Sequence, residues 1–165
     1  MMRVTLARLR SHGRLRAEGR VRLGRGVQFH LAPGAMVTLE KCCRIGAGTR
    51  FHVHGHARIG AGAQLGERCV VAAHERVEVG AGATLDDEVV LIDFDHGITD
   101  VERPVRLQEL VTAPVMIGER AVLSAGATVL RGVVVGAGAR VQSRGVVTRD
   151  VPAGTTVGGV PARPM

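Results

Sequence analysis

Along most of the chain one large aliphatic residue returns at every sixth position, set among small and polar residues. The stretches Ile45-Gly-Ala-Gly, Ile59-Gly-Ala-Gly, Val79-Gly-Ala-Gly, Ile117-Gly-Glu-Arg and Val135-Gly-Ala-Gly are variants of one unit. Leu65, Val71 and Val77, then Leu85 and Leu91, Leu123 and Val129, and Val141 and Val147 continue the beat. A helical face requires apolar positions at i, i+3, i+4 and i+7, and a half-buried strand requires alternation, so this period fits neither. It fits an all-β parallel β-helix, in which each hexapeptide is a short strand plus a turn, its aliphatic points into a stacked core, and Gly or Ala permits the corner. Three hexapeptides close a triangular coil, so residues about 18 apart stack on one another. The frame slips by two residues from Phe51 to Val53 and from Val77 to Val79, which reads as corner bulges or longer turns. Cys43 to Val151 then supply roughly five to six coils, after a less regular start around Val21, Val27 and Leu39.

Composition narrows the picture. At 165 residues the chain is one domain, with residues 1–20 expected to cap a β-helix formed by residues 21–165. Aromatics are limited to Phe29, Phe51 and Phe94, which suits a thin aliphatic interior. No apolar run approaches the ~20 residues of a membrane span, and the N-terminal residues lack a signal-type apolar stretch. Their Arg and Leu content suits a cap, or a weak resting contact with an anionic membrane surface. The formal charge of +7 comes from 21 Arg and Lys41 against 15 acids, spread along the whole chain. Without aromatic stacking platforms or a clustered basic motif this excludes a nucleic-acid partner and reads as a solvated outer face. Cys42, Cys43 and Cys69 are odd in number and show no C-x-x-C spacing, so they are expected to be reduced core residues of a cytoplasmic protein, with no zinc.

Chemistry concentrates in one segment. Leu91-Ile-Asp-Phe-Asp-His96-Gly-Ile-Thr-Asp100 ends a hexapeptide run, and residues 97–114 carry no six-residue beat. A long excursion from a repeat array falls on the binding face. His96 at its root is a candidate general base. Asp93 and Asp95 flank it as local candidates for the same site, and Arg103 and Arg106 lie in the polar excursion as candidates for binding. His74 precedes Phe94 by one coil, so it should lie near the His96 loop, as a binding residue or as a satisfied edge histidine. The run His52-Val-His54-Gly-His56 falls at a frame slip, where alternating side chains need not converge on a metal.

With its hexapeptides, the Asp95-His96-Gly97 segment entering a long loop, and the closing stretches Val146-Val-Thr148-Arg149-Asp150-Val-Pro152 and Val157-Gly-Gly159-Val-Pro161-Ala162-Arg163, the chain resembles the hexapeptide-repeat acyltransferases over roughly Cys43 to Arg163. Within that family it resembles the maltose, galactoside and polysaccharide O-acetyltransferase branch. The resemblance implies a left-handed coil, a homotrimer with sites between adjacent prisms, and acetyl-CoA as co-substrate. It also implies transfer to a hydroxyl of a sugar or polysaccharide precursor, in a direct ternary complex with His96 as base. By position it places coenzyme A contacts at Ser124, Ala125, Ser143, Thr148, Arg149, Gly159, Ala162 and Arg163. The chain departs from the pattern at Val122 and Ser143, and at Gly66 and His74, where soluble-sugar members carry an Asn and an Asp. The γ-class carbonic anhydrases share the hexapeptide fold and bind zinc with a His pair five apart. No such pair occurs here, so no metal is expected. A non-catalytic hexapeptide scaffold or a metal enzyme of that kind is the alternative.

Overall fold

The computed structural model describes residues 14–97, 102 and 104–165, with the side chain of Arg106 excepted. They form a parallel β-solenoid of about seven turns, consistent with the left-handed coil that the resemblance implies. Three parallel sheets make the faces of a prism. The first face runs from Leu15–Ala17 up to Val134–Val135, the second from Arg22–Leu23 up to Thr156–Gly158, and the third from Gln28–Leu31 up to Val146–Val147. Arg163–Pro164 folds back antiparallel on Thr156–Gly158 and closes the top.

The six-residue beat is visible as columns of inward side chains. On the second face Leu23, Ile45, Leu65, Leu85, Leu123, Val141 and Val157 are register partners in succession, and all are buried. Each such side chain contributes about 1.5–3 kcal/mol by leaving water, but only because the coils above and below cover it. The two glycines of a Gly-Ala-Gly corner answer different demands. A Cβ on Gly80 would lie 2.6 Å from the Glu119 backbone nitrogen of the next coil, whereas Gly82 holds φ +66°, where an L side chain is disfavoured.

The structure corrects several expectations. The first coil begins at Leu15, which pairs with Val37, so the prism starts inside the segment read as a cap; residues 1–13 of that segment lie outside the described residues. The frame slips are not bulges. They arise because third-face strands Arg50–Val53 and Val70–Ala73 are four residues long and carry two inward positions, Phe51 with Val53 and Val71 with Ala73. The second slip therefore belongs at Ala73, one side earlier than Val77. These longer sides also widen the prism enough for rings: Phe51 is fully buried and stacks on Phe29 with centroids 4.9 Å apart. Cys43 and Cys69 are core residues, and burial pushes the Cys43 thiol up to about 12, but Cys42 stands exposed at a corner with φ 63°.

The interruption is an arm and not a loose loop. Phe94–His96 pairs antiparallel with Leu110–Thr112, with a short 3-10 turn at Val105–Leu107 between them. The departure therefore begins at Phe94, three residues before the sequence beat fails. Val115 then takes up its place as the direct partner of Val77.

Candidate active site

The arm leaves the prism at the corner where the third face turns into the first. That departure removes main-chain acceptors which lower coils use. In the second coil, His54 N–H and Gly55 N–H donate to the carbonyl of Ala73 above, and His56 N–H donates to that of Glu75. For the equivalent amides of the third coil, the chain above has left. Asp93 replaces the missing carbonyls: it occupies the inward column above Val53 and Ala73, fully buried, and its Oδ1 accepts from His74 N–H at 2.7 Å. Its Oδ2 accepts from Glu75 N–H at 2.8 Å and Arg76 N–H at 2.6 Å. The returning chain docks on the same residue, Ala113 N–H donating to the Asp93 carbonyl at 2.9 Å. Both carboxylate oxygens of Asp93 are thus committed to the turn that carries His74, and the residue is a support of the site instead of an orienter of His96.

Above that turn the side chains form a column of rings. His74 lies between His54 and Phe94, its ring centroid 4.1 Å from each, nearly parallel to His54 and tilted by 48° to Phe94. Burial is the main cause that lowers its pKa below 6.5; the charges of His54 and His96 act in the same direction, and Asp93 opposes them. The sequence expectation that His74 lies beside the His96 segment is met by this contact. His96 itself is exposed, opposite Leu110 across the arm, and Asp95 Oδ1 accepts from its backbone N–H at 2.8 Å. Thr112 on the returning strand donates to Glu75 Oε2 at 2.8 Å, tying the arm to the coil below. Among the predicted acceptor contacts, Arg103 and the side chain of Arg106 lie outside the described residues.

The predicted cofactor residues separate into three groups. Thr148 joins Phe94 and Asp95 in a cleft of about 380 Å³ at the base of the arm, together with Ile92, Leu130 and Arg131. Arg149, Ala162 and Arg163 share a smaller hollow of about 140 Å³ at the closing end, and Gly159 binds the same end by accepting from Val146 N–H at 3.0 Å. Ser124, Ala125 and Ser143 stand on another corner, between second and third faces, where Arg144 N–H donates to the Ala125 carbonyl of the coil below. One protomer therefore does not bring that group to the arm. Arg131 was not singled out from sequence, although its place 18 residues before Arg149, one coil below, was there to be read. His52 stacks on His30 with centroids 4.7 Å apart while His54 stacks on His74, so the histidine run is divided between two stacks; among the described residues no three His, Cys, Asp or Glu side chains converge on a metal position.

No protein-family model matches the chain. It is 31% identical over 147 residues to "Probable acetyltransferase Rv3034c" of Mycobacterium tuberculosis, covering 88% of this chain and 49% of that protein. With Nodulation protein L of Rhizobium meliloti it shares 35% identity over 133 residues, covering 81% of this chain and 67% of the relative. The chain thus spans about half of the first relative's length and two thirds of the second's. Among solved structures, a hexapeptide-repeat-containing acetyltransferase of Vibrio cholerae, crystallised with acetyl coenzyme A, superposes with a TM-score of 0.69 at 21% identity, covering 76% of this chain and 67% of that one.

Proposed function

This chain belongs to the hexapeptide-repeat acyltransferase family, and on that premise we propose that it transfers an acetyl group from acetyl-CoA to a hydroxyl of a sugar or cell-surface polysaccharide precursor. The observation that carries the reading is the arm: among the described residues the solenoid opens once, and it presents His96 beside the His74–Phe94 rings and a cleft that contains Thr148.

A sugar hydroxyl is a poor nucleophile near neutral pH, so its proton must leave as the oxygen adds to the thioester carbonyl. His96 takes that proton. Breakdown of the adduct breaks the carbon–sulfur bond and releases the coenzyme A thiolate, which recovers the proton from the imidazolium to leave an acetyl ester and a free thiol. Asp95 assists by fixing the backbone of His96. Arg149 and Arg163, which share the closing hollow, are assigned to the phosphates of the co-substrate. Arg131 and Thr148 line its path past the arm. An amide at Ser124 or Ala125 is assigned to the oxyanion, and Ser143 to the wall of the same site.

Those last residues stand on the wrong corner for their own arm, so the site is completed by a second copy in a homotrimer. Outward positions on the upper third face support this: Val70, Val90, Ile92, Leu130 and Val146 are apolar and half-buried, and the arm exposes Val105, Leu107, Leu110 and Val111. The free cysteines suit a cytoplasmic enzyme.

Thiol release from acetyl-CoA against a panel of sugars and oligosaccharides tests the reading. His96→Ala should lose turnover by about 10² to 10⁴ while retaining acetyl-CoA affinity, since the residue is exposed on the arm. Full turnover in that variant with the true acceptor would remove His96 from the role of base, and no thiol release by the parent protein with any acceptor would return the chain to the scaffold alternative.

A further inference from the structure

In the lower half of the prism the charges are sorted by face. On the first face Arg16 pairs with Glu18 at 3.3 Å, and Arg58 and Arg76 pair with Glu40 and Glu78. Glu40 is engaged twice, since its second oxygen accepts from Ala61 N–H at 2.9 Å. The second face and its flanking corners carry Arg20, Arg22, Arg25, Lys41 and Arg44, with Arg50 starting the third face, and all six are exposed. None of the six pairs with a carboxylate among the described residues. Arg22 and Arg44 are direct partners across adjacent strands, about 4.8 Å apart along the hydrogen-bonding direction. Like charges so placed are unfavourable, while the nearest acids, Glu18 and Glu40 on the corner between the first and second faces, are already engaged by Arg16, Arg58 and the Ala61 N–H. An anionic surface laid across the strip relieves that repulsion.

We propose that this end of the second face is a docking surface for the anionic headgroups of a lipid membrane. Its shape favours a planar partner: the outward side chains of Arg22 and Arg44 rise from a flat parallel sheet, the open hollow lined by Glu18, Glu40 and Lys41 lies at its corner, and the nearest exposed rings, His30 and His52, are stacked on each other on the third face. A cluster of this number of Lys and Arg matches what holds proteins to acidic leaflets. A further basic residue stands at this end but is used inside the fold. Arg14 is anchored through its guanidinium to the carbonyls of Leu31 at 2.7 Å and Ala32 at 2.9 Å. The arm leaves from a different corner and from a higher coil, so docking leaves the proposed site open. This inference does not depend on the acyl-transfer reading.

Co-sedimentation with vesicles is the test, comparing phosphatidylcholine alone with phosphatidylcholine containing phosphatidylglycerol. The protein should pellet only with the anionic vesicles, and should be released when salt rises from about 0.1 M to about 1 M, which shortens the screening length from about 10 Å to about 3 Å. Arg22→Glu with Arg44→Glu should weaken binding at least about tenfold, whereas Arg140→Glu, on the same face near the other end, should not. Arg22→Gln with Arg44→Gln should also bind less, with a melting temperature at or above that of the parent because the repulsion is gone; this separates lost docking from lost folding. Equal pelleting with neutral vesicles, no pelleting with anionic ones, or equal losses from the strip and from Arg140→Glu would overturn the proposal. So would retention on a charged polysaccharide or an oligonucleotide without vesicle binding.

Discussion

His74 is held between two rings at a place where the protein favours its neutral form. Burial and the neighbouring His54 and His96 lower its pKa from 6.5, with Asp93 opposing, and His52 is lowered in the same sense by burial, His30, Arg50 and His54. Between the lowered folded value and 6.5 the unfolded chain binds more protons than the folded one, so stability rises with pH through that window. The contribution is complete above about 6.5 and is lost as pH falls below it. Melting temperature followed from about pH 8 to about pH 5 should fall on the acid side, and His74→Phe, which keeps a ring in the column but cannot titrate, should give a flatter curve. Parallel curves would show that the stacked histidine carries no proton-linked stability. The proximity of His74 to the arm was legible from coil spacing alone. The shift was not, because it depends on rings from three successive coils meeting at one corner.

Asp93 shows what a solenoid requires where its chain leaves the stack. Two of its backbone neighbours, Ala72 and Leu91, follow the ordinary ladder, yet the side chain has replaced three carbonyl contacts that the departing strand does not make. Asp93→Asn would turn an NH2 group toward at least one backbone donor and leave it without an acceptor. A loss of about 1 to 3 kcal/mol in unfolding free energy is expected, measured by denaturant titration, together with a raised acceptor Michaelis constant if the His74 turn shifts. Parent-like stability would mean that the three amides find other acceptors. From sequence this residue invited a catalytic role, since an acid two or three positions from a histidine has the right chemistry. Its actual task arises from an absent neighbour, which no local pattern records. The start of the arm was hidden for a similar reason: Phe94 and His96 extend the chain in strand geometry, and only their antiparallel partner distinguishes them from a further hexapeptide side.

At the scale of the molecule, the hexapeptide beat was sufficient to give the prism and its inward columns, because one buried aliphatic per side is all that the stacking demands, while the roughly five to six coils read from Cys43 to Val151 become about seven turns once the chain from Leu15 and the closing strands are included. It was insufficient at Phe51 and Ala73, where longer sides add a second inward position and change the width. Assembly is where the prism still needs other surfaces. The residues assigned to one site stand on two corners, so light scattering at micromolar concentration should give the mass of three chains, and a monomer at that concentration would rule out the shared site. The arm itself intrudes on none of this. Val115 resumes the column as the partner of Val77 just as Val77 follows Ala57, so the aliphatic column continues across the interruption while Asp93 supplies the acceptors that the departing chain removes. A gene encoding such a fold can lengthen, shorten or exchange that one segment by insertion and deletion while the surrounding repeats drift under a separate constraint. Lineages built on this scaffold can therefore change what the arm presents through a few contiguous codons, provided that Asp93 at its root is kept.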